Sequence, residues 1–332
     1  MTMNNTSKKP CSFQIGTSIR GKWHHKEYVI QKELGAGANG VVYLAGSTEG
    51  TVAIKFSDNP ATIATEVNVL KSLEKVQDKI LGPSLLDVDD IKINGNLLPF
   101  YVMEYIQGDH LLDFLERKGS DWIVVMALQV LSNLEELHKL GWIFGDLKPE
   151  NLIVQSPQQR IRFIDVGGTT QAGRAIKEYT EYFDRGYWNA GGRRAEPSYD
   201  LFALTMIIIN AAYQKRFVKS GDGLQQLYTL IEKNKVLKKL EPVLKKALEG
   251  KYQTAEQMKR EMIDLSFAMK KQTPQHSVKK STYTAPSQPY NSQVRRTRSS
   301  TKRKNPSGWM ETFFLIAVVT LLYVFYIVGQ VV

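Results

Sequence analysis

The stretch Phe144-Gly145-Asp146-Leu147-Lys148-Pro149-Glu150-Asn151 places a carboxylate, an ammonium and a carboxamide in one short loop at fixed offsets. Asp146 can orient and deprotonate an attacking hydroxyl. Lys148 can neutralise charge on a group in transfer, and Asn151 can hold a magnesium ion. The set suits phosphoryl transfer, and the rest of the chain can be read outward from it.

Upstream, Leu34-Gly35-Ala36-Gly37-Ala38-Asn39-Gly40-Val41-Val42 fits G-x-G-x-x-G-x-V. Its glycines let backbone N–H groups approach phosphates with no side chain in the way. A dinucleotide-binding loop would run from strand into helix, whereas Val41-Val42-Tyr43-Leu44 continues as a strand. Val52-Ala53-Ile54-Lys55 follows on the next strand, aiming Lys55 at nucleotide phosphates, and Glu66 on the following helix is its natural partner. Downstream, Ile164-Asp165-Val166-Gly167 follows the β-like run Arg160 to Ile164 and offers a carboxylate for bridging metal to phosphate. Each fragment alone also fits a turn, a hairpin or a solvated side chain. Their order along one chain is what gives them meaning.

Composition is that of a globular protein: 332 residues, 42% hydrophobic and 23% charged. One cysteine, Cys11, excludes disulfides within the chain and favours a reducing setting. Met1 to Arg20 lacks the apolar core of a signal peptide and reads as a disordered leader. β-rich runs at Tyr28 to Leu34, Val41 to Ala45 and Val52 to Phe56 read as an antiparallel meander. Helical spacing covers Pro60 to Val76, and Asn94-Gly95 marks a hairpin between Leu86–Ile93 and Leu98–Glu104. Helices dominate after Gly108: Trp122 to Leu140, the almost wholly apolar Tyr199 to Ala212, and Tyr252 to Met269. The expected fold class is α+β, a small β-rich lobe followed by a larger helical lobe.

On these motifs the chain resembles the Hanks-type (eukaryotic-like) protein kinases over about residues 21–269. The resemblance implies a bilobal kinase fold and ATP with Mg2+ or Mn2+ as cofactors. It implies Asp146, Lys148, Lys55 and Glu66 as catalytic residues and Asn151 and Asp165 as metal ligands. Leu34, Gly35, Gly37, Gly40, Val42 and Lys55 would line the nucleotide, with Glu104 and Ile106 at the hinge that holds adenine by backbone groups. Leu-Lys-Pro-Glu-Asn, with Lys148, accompanies Ser/Thr specificity in the family. Asp200 in Tyr199-Asp200-Leu201-Phe202-Ala203-Leu204 would brace the catalytic loop. Three departures stand out. Phe144 and Gly145 replace the family's His-Arg, Val166 replaces the usual Phe, and no Ala-Pro-Glu closes the activation segment between Gly168 and Pro197. An Arg–phosphate clamp is strong and bidentate, so Gly145 predicts that activation does not use the usual phosphorylated-loop clamp. Thr169, Thr170 and Thr180 are candidate autophosphorylation sites.

The net charge of +11 is concentrated. Ten basic residues and no acid lie between Lys270 and Lys304, leaving the remainder nearly neutral. Residues 270–308 read as a disordered juxtamembrane linker. Thr312 to Val332 carries no charge. About 20 residues at ~1.5 Å rise cover ~30 Å, a bilayer core, so 309–332 reads as a transmembrane helix with Trp309 and Tyr326 at its interfaces. The basic cluster before it predicts a cell-membrane protein with a single span and its kinase domain in the cytoplasm. That layout resembles the YabT-type membrane kinases of spore-forming bacteria. Arg295, Arg296, Arg298, Lys302, Arg303 and Lys304 give six charges in ten positions. That is more than topology needs, and it invites sequence-independent DNA binding. DNA on the tether would promote self-association and autophosphorylation in trans. Protein substrates are the expected partners of the kinase domain.

Two other readings remain open at this point. Small-molecule phosphotransferases of the aminoglycoside-kinase type share the fold and often place Gly before the catalytic Asp; Lys148, the complete Gly loop and Asp200 oppose that reading. A tethered nucleic-acid-binding protein acting through its basic segment is the other.

Overall fold

Asn94 and Gly95 both adopt positive φ, 49° and 87°, the geometry of a tight hairpin whose twist matches its strands. In the computed structural model, which describes residues 12–37, 39–74 and 81–272, this hairpin forms one edge of a six-stranded antiparallel sheet. The strands are β1 (Ser18–Arg20), β2 (Glu27–Gly37), β3 (Gly40–Ser47), β4 (Gly50–Phe56), β5 (Leu85–Ile93) and β6 (Asn96–Glu104), in the order β1-β2-β3-β4-β6-β5. One face buries Ile30, Tyr43, Ile54, Phe100 and Val102 in its own apolar cluster. On the other face, Ala53, Tyr101 and Met103 join the larger core, which also takes in helix α1 (Pro60–Leu73). That helix starts where Asn59 accepts the Ala61 N–H at 3.0 Å and Pro60 supplies a preset φ.

The helical region begins with α2 (Leu111–Lys118) and α3 (Trp122–Lys139), and centres on α4 (Pro197–Tyr213). Helix α4 is buried from Ser198 through Ala211 with no polar face, so it has to lie inside a ring of other elements. Helices α5 (Gly223–Lys233), α6 (Lys235–Lys239), α7 (Glu241–Leu248) and α8 (Ala255–Gln272) supply part of that ring. Short strands precede α2 and fill the connection from α3 to α4. β7 (Asp109–His110) pairs with β9 (Leu152–Gln155), which pairs with β10 (Arg160–Phe163); β8 (Trp142–Ile143) pairs with β11 (Thr170–Gln171). They form the floor on which the catalytic loop rests.

The leader expected up to Arg20 is corrected for the residues described there. Ile19 is fully buried, Ser18–Arg20 pairs with Glu27–Val29, and the Phe13 ring packs 4.7 Å from Phe56. Three residues with a single apolar side chain make too short a pattern to register in a sequence. Sheet completion stabilises them only once β2 is in place. The linker and the span, residues 273–332, lie outside the described residues. Among the described residues no helix is long and apolar enough to cross a membrane.

Phe144 is 2% exposed, stacks 4.7 Å from Phe163, and shares the main core cluster with Val166 and Leu70. Truncating a ring packed this way removes burial and leaves a cavity. Phe144→Ala is expected to destabilise by about 3–5 kcal/mol, read as a lower denaturant midpoint at unchanged m-value.

Candidate active site

Directly opposed residues of neighbouring strands project on the same face. Val42 opposes Lys55, Lys55 opposes Tyr101, and Ala53 opposes Met103. These five side chains therefore share one face of the sheet, and all five line a cavity of about 460 Å³. Leu34 and Gly35 cover it, Glu104 to Ile106 border it, and Asn151, Ile153, Ile164 and Asp165 form its opposite wall. It has the size and apolar-with-few-polar lining of a small-ligand site. Gly37 and Gly40 pair with each other at the end of the β2–β3 hairpin rather than lining the cavity wall.

Lys55 and Glu66 are both buried, and their side chains meet at 2.7 Å. The other Glu66 oxygen accepts the Tyr101 hydroxyl at 2.8 Å. Burial and the adjacent Glu66 keep the Tyr101 phenol well above its ordinary pKa, so it stays a donor. Asp165 approaches Lys55 at 3.6 Å and also accepts the Gly167 N–H at 2.9 Å. Burial alone would lower Lys55, but Asp165 and Glu66 outweigh it and hold the ammonium charged. Glu66 can occupy this place because it falls on the buried stripe of α1, between Ile63 and Leu70.

The catalytic loop is held by its backbone. The buried Asp200 carboxylate accepts the Phe144 N–H at 2.8 Å and the Gly145 N–H at 3.0 Å, and contacts His138 Nε2 at 2.8 Å. Asn151 donates its carboxamide to the Asp146 carbonyl at 2.9 Å. Its side chain also borders the cavity that Asp165 lines. Asp146 Oδ2 accepts Lys148, while Oδ1 accepts the Thr180 hydroxyl at 2.9 Å. Asp146 and Lys148 thus sit beside each other, next to the cavity wall formed by Asn151 and Asp165. Asn151 and Asp165 offer hard oxygen donors on one wall, which fits a divalent cation such as magnesium.

Gly145 shows why arginine is absent there. Its φ is +82°, and a Cβ built on it would fall 2.6 Å from the Gly168 carbonyl oxygen. Any side chain would be strained and would collide with backbone. The activation segment closes without Ala-Pro-Glu through two ion networks. Arg185 donates to Ser198 Oγ and Glu196 Oε1, both at 2.7 Å. The wholly buried Asp184 accepts Arg193 Nη2 at 2.6 Å and Tyr199 OH at 2.8 Å. Burial opposes ionisation of Asp184, yet these donors hold its carboxyl below the usual range. Thr169 and Thr170 are 1% and 0% exposed, and the Thr180 hydroxyl is engaged by Asp146.

Sequence reading did not find Tyr101, the contact of Thr180 with Asp146, or the networks built on the adjacent Asp184 and Arg185. Tyr101 is betrayed only by strand register opposite Lys55. The nearest sequence signal for the pair is the run of opposite charges from Asp184 to Glu196. Glu104 borders the cavity as expected at the hinge, but its side chain is engaged elsewhere, by Arg162 at 2.8 and 3.1 Å.

Two outcomes follow from this geometry. Gly145→Ala should reduce phosphotransfer and lower the thermal midpoint together, because the loop shifts to relieve the clash. Glu104 supplies a pH test. Burial disfavours its carboxylate, but Arg162 and the Ser84 N–H outweigh this and hold it below its ordinary value of 4.5. Its stabilising contribution is therefore present above that value and is lost as pH falls below it. Glu104→Gln should flatten the acid limb of a stability-versus-pH curve relative to wild type.

The protein kinase domain family matches residues 28–284. The chain is 48% identical over 324 residues to the serine/threonine-protein kinase YabT of Bacillus subtilis (strain 168), covering 96% of each protein. It is 25% identical over 222 residues to cyclin-dependent kinase 1 of Encephalitozoon cuniculi (strain GB-M1), covering 60% of this chain and 72% of that protein. It is 30% identical over 153 residues to cAMP-dependent protein kinase catalytic subunit 3 of Drosophila melanogaster, covering 43% of this chain and 25% of that protein. With the sheet-lined cavity, the Lys55–Glu66 pair and the braced Asp146 loop in one body, the chain belongs to the protein kinase family.

Proposed function

We infer that the protein is an ATP-dependent serine/threonine protein kinase, acting through the residues gathered at the cavity. The observation that carries this reading is Asp146, held by Lys148 and Thr180, standing beside a nucleotide-sized cavity lined by Asp165 and by Lys55, which Glu66 holds from behind. In this reading Leu34, Gly35 and Val42 enclose the nucleotide. Gly37 and Gly40 let the hairpin backbone approach its phosphates, and backbone groups at Glu104 and Ile106 hold adenine. Lys55, fixed by Glu66, binds the phosphates. Asp146 takes the proton from the acceptor hydroxyl as it attacks, and Lys148 neutralises charge gathering on the phosphoryl oxygens. Asn151 and Asp165 would hold magnesium or manganese, which when bound would supply positive charge to neutralise the phosphates.

We further propose that residues 309–332 span the cell membrane with the kinase domain cytoplasmic. In this proposal the basic run Arg295 to Lys304 binds DNA without sequence preference, which gathers kinase molecules for autophosphorylation in trans. The charge density of that run supports this reading, since a spanning helix alone already anchors. Phosphate on Ser299, Ser300 or Thr301 would cancel positive charge and weaken the contact.

Labelled-phosphate transfer from ATP tests both parts. Label should reach the protein itself and an added protein acceptor, and Asp146→Asn should reduce kcat by about 10²–10⁴-fold. Label appearing only on an aminoglycoside would overturn the protein-kinase reading. DNA should raise the rate for wild type and leave Arg295→Ala/Arg296→Ala/Arg298→Ala unchanged; equal rates with and without DNA reject the tether's role.

A further inference from the structure

Glu150 belongs to the 3-10 turn Pro149–Asn151, four residues after Asp146, and its side chain is 53% exposed at the rim of the nucleotide cavity. An open carboxylate beside the catalytic base would draw a cationic side chain from any peptide whose hydroxyl reaches Asp146. In this protein the cation is built in. Arg216, on the loop that leaves α4 after the left-handed residue Gln214, donates to Glu150 Oε1. Its guanidinium also lies over the rings of Phe183 and Tyr182, at 5.0 and 5.9 Å. Those rings follow Thr180, whose hydroxyl contacts Asp146. Arg216 therefore ties the catalytic loop to the middle of the activation segment while its side chain remains 41% exposed.

Two consequences follow from this placement. The Glu150 charge is already matched, so a basic substrate residue gains little from it and meets Arg216 instead. The same loop adds Lys215 and Lys219, the latter donating to the Tyr187 carbonyl at 2.6 Å. Stacking on two rings holds the guanidinium in place, so its charge persists as a fixed feature of the rim.

We propose that Arg216 is a specificity-determining residue. By occupying Glu150 it makes the peptide-facing rim beside Asp146 cationic, and the kinase selects acceptors with acidic rather than basic side chains flanking the Ser or Thr. The proposal rests on the protein-kinase reading and names the substrate class of that same site.

The test uses the full chain and a positional-scanning library of Ser/Thr peptides, with Glu or Lys fixed in turn at each position flanking the acceptor. The quantity read is the Glu-to-Lys ratio of kcat/KM at each position. A ratio within one preparation cancels the active fraction, so partial unfolding of a variant cannot imitate the effect. Wild type should favour Glu at one or more positions. Arg216→Gln, which keeps a polar side chain but removes the charge, should lower that ratio about fivefold by freeing Glu150. Adding Glu150→Gln to Arg216→Gln should remove the newly gained acceptance of Lys. A wild-type preference for Lys, or an unchanged ratio in Arg216→Gln, overturns the proposal while leaving the kinase reading intact. If no peptide in the library is phosphorylated while the chain still labels itself, this proposal falls and the kinase reading stands; if neither is labelled, both fall.

Discussion

The buried carboxylate of Asp200 organises the active region. It sits in the first turn of a helix with no solvent-facing side, fully enclosed, and accepts two consecutive backbone N–H groups from Phe144 and Gly145. A buried charge is tolerable only when donors surround it. Here the donors are the catalytic loop itself, with His138 alongside. The loop is therefore tied by its backbone to the buried central helix α4. Asp146 inherits its position from that anchoring, and Asn151 reinforces it by donating to the Asp146 carbonyl.

Anchoring of this kind explains the unusual pair at the loop's start. Phe144 turns inward to pack on Phe163, a role that any ring of suitable volume can fill. Gly145 is bound more tightly by geometry. Its left-handed backbone and its closeness to the Gly168 carbonyl leave no room for a side chain. The arginine that would pair with a phosphorylated activation segment is thus excluded by backbone shape. The segment is held instead by ion networks already complete in the chain: Asp184 with Arg193 and Tyr199, and Arg185 with Glu196 and Ser198.

The nucleotide side is organised with the same economy. Lys55 is placed by strand register, Glu66 by helix periodicity, and Tyr101 completes the set from the neighbouring strand. Three elements of secondary structure converge on one buried carboxylate, so a shift in any of them is felt at Lys55.

Local chemistry was legible in the sequence wherever function demands a fixed spacing. The Gly loop, Val-Ala-Ile-Lys and the Asp146 block could be read because short-range geometry fixes their offsets. The alternation of β2 to β6 and the apolar run of α4 announced a β-rich lobe followed by a helical one. Glu66 was legible through its distance from Lys55. What the sequence could not carry were partners set by tertiary approach: Tyr101 on Glu66, Thr180 on Asp146, Arg162 on Glu104, and Arg216 on Glu150. These pairs lie 34 to 66 residues apart. No periodicity links them, because each contact exists only after separate elements have packed. The same reason hid the strand Ser18–Arg20, too short to signal itself until β2 offered an edge to pair with. Residue order along the chain set which chemical groups reach the site. Only the packed structure decided which of them touch, because a contact between distant residues is a property of the assembled core and not of any segment within it.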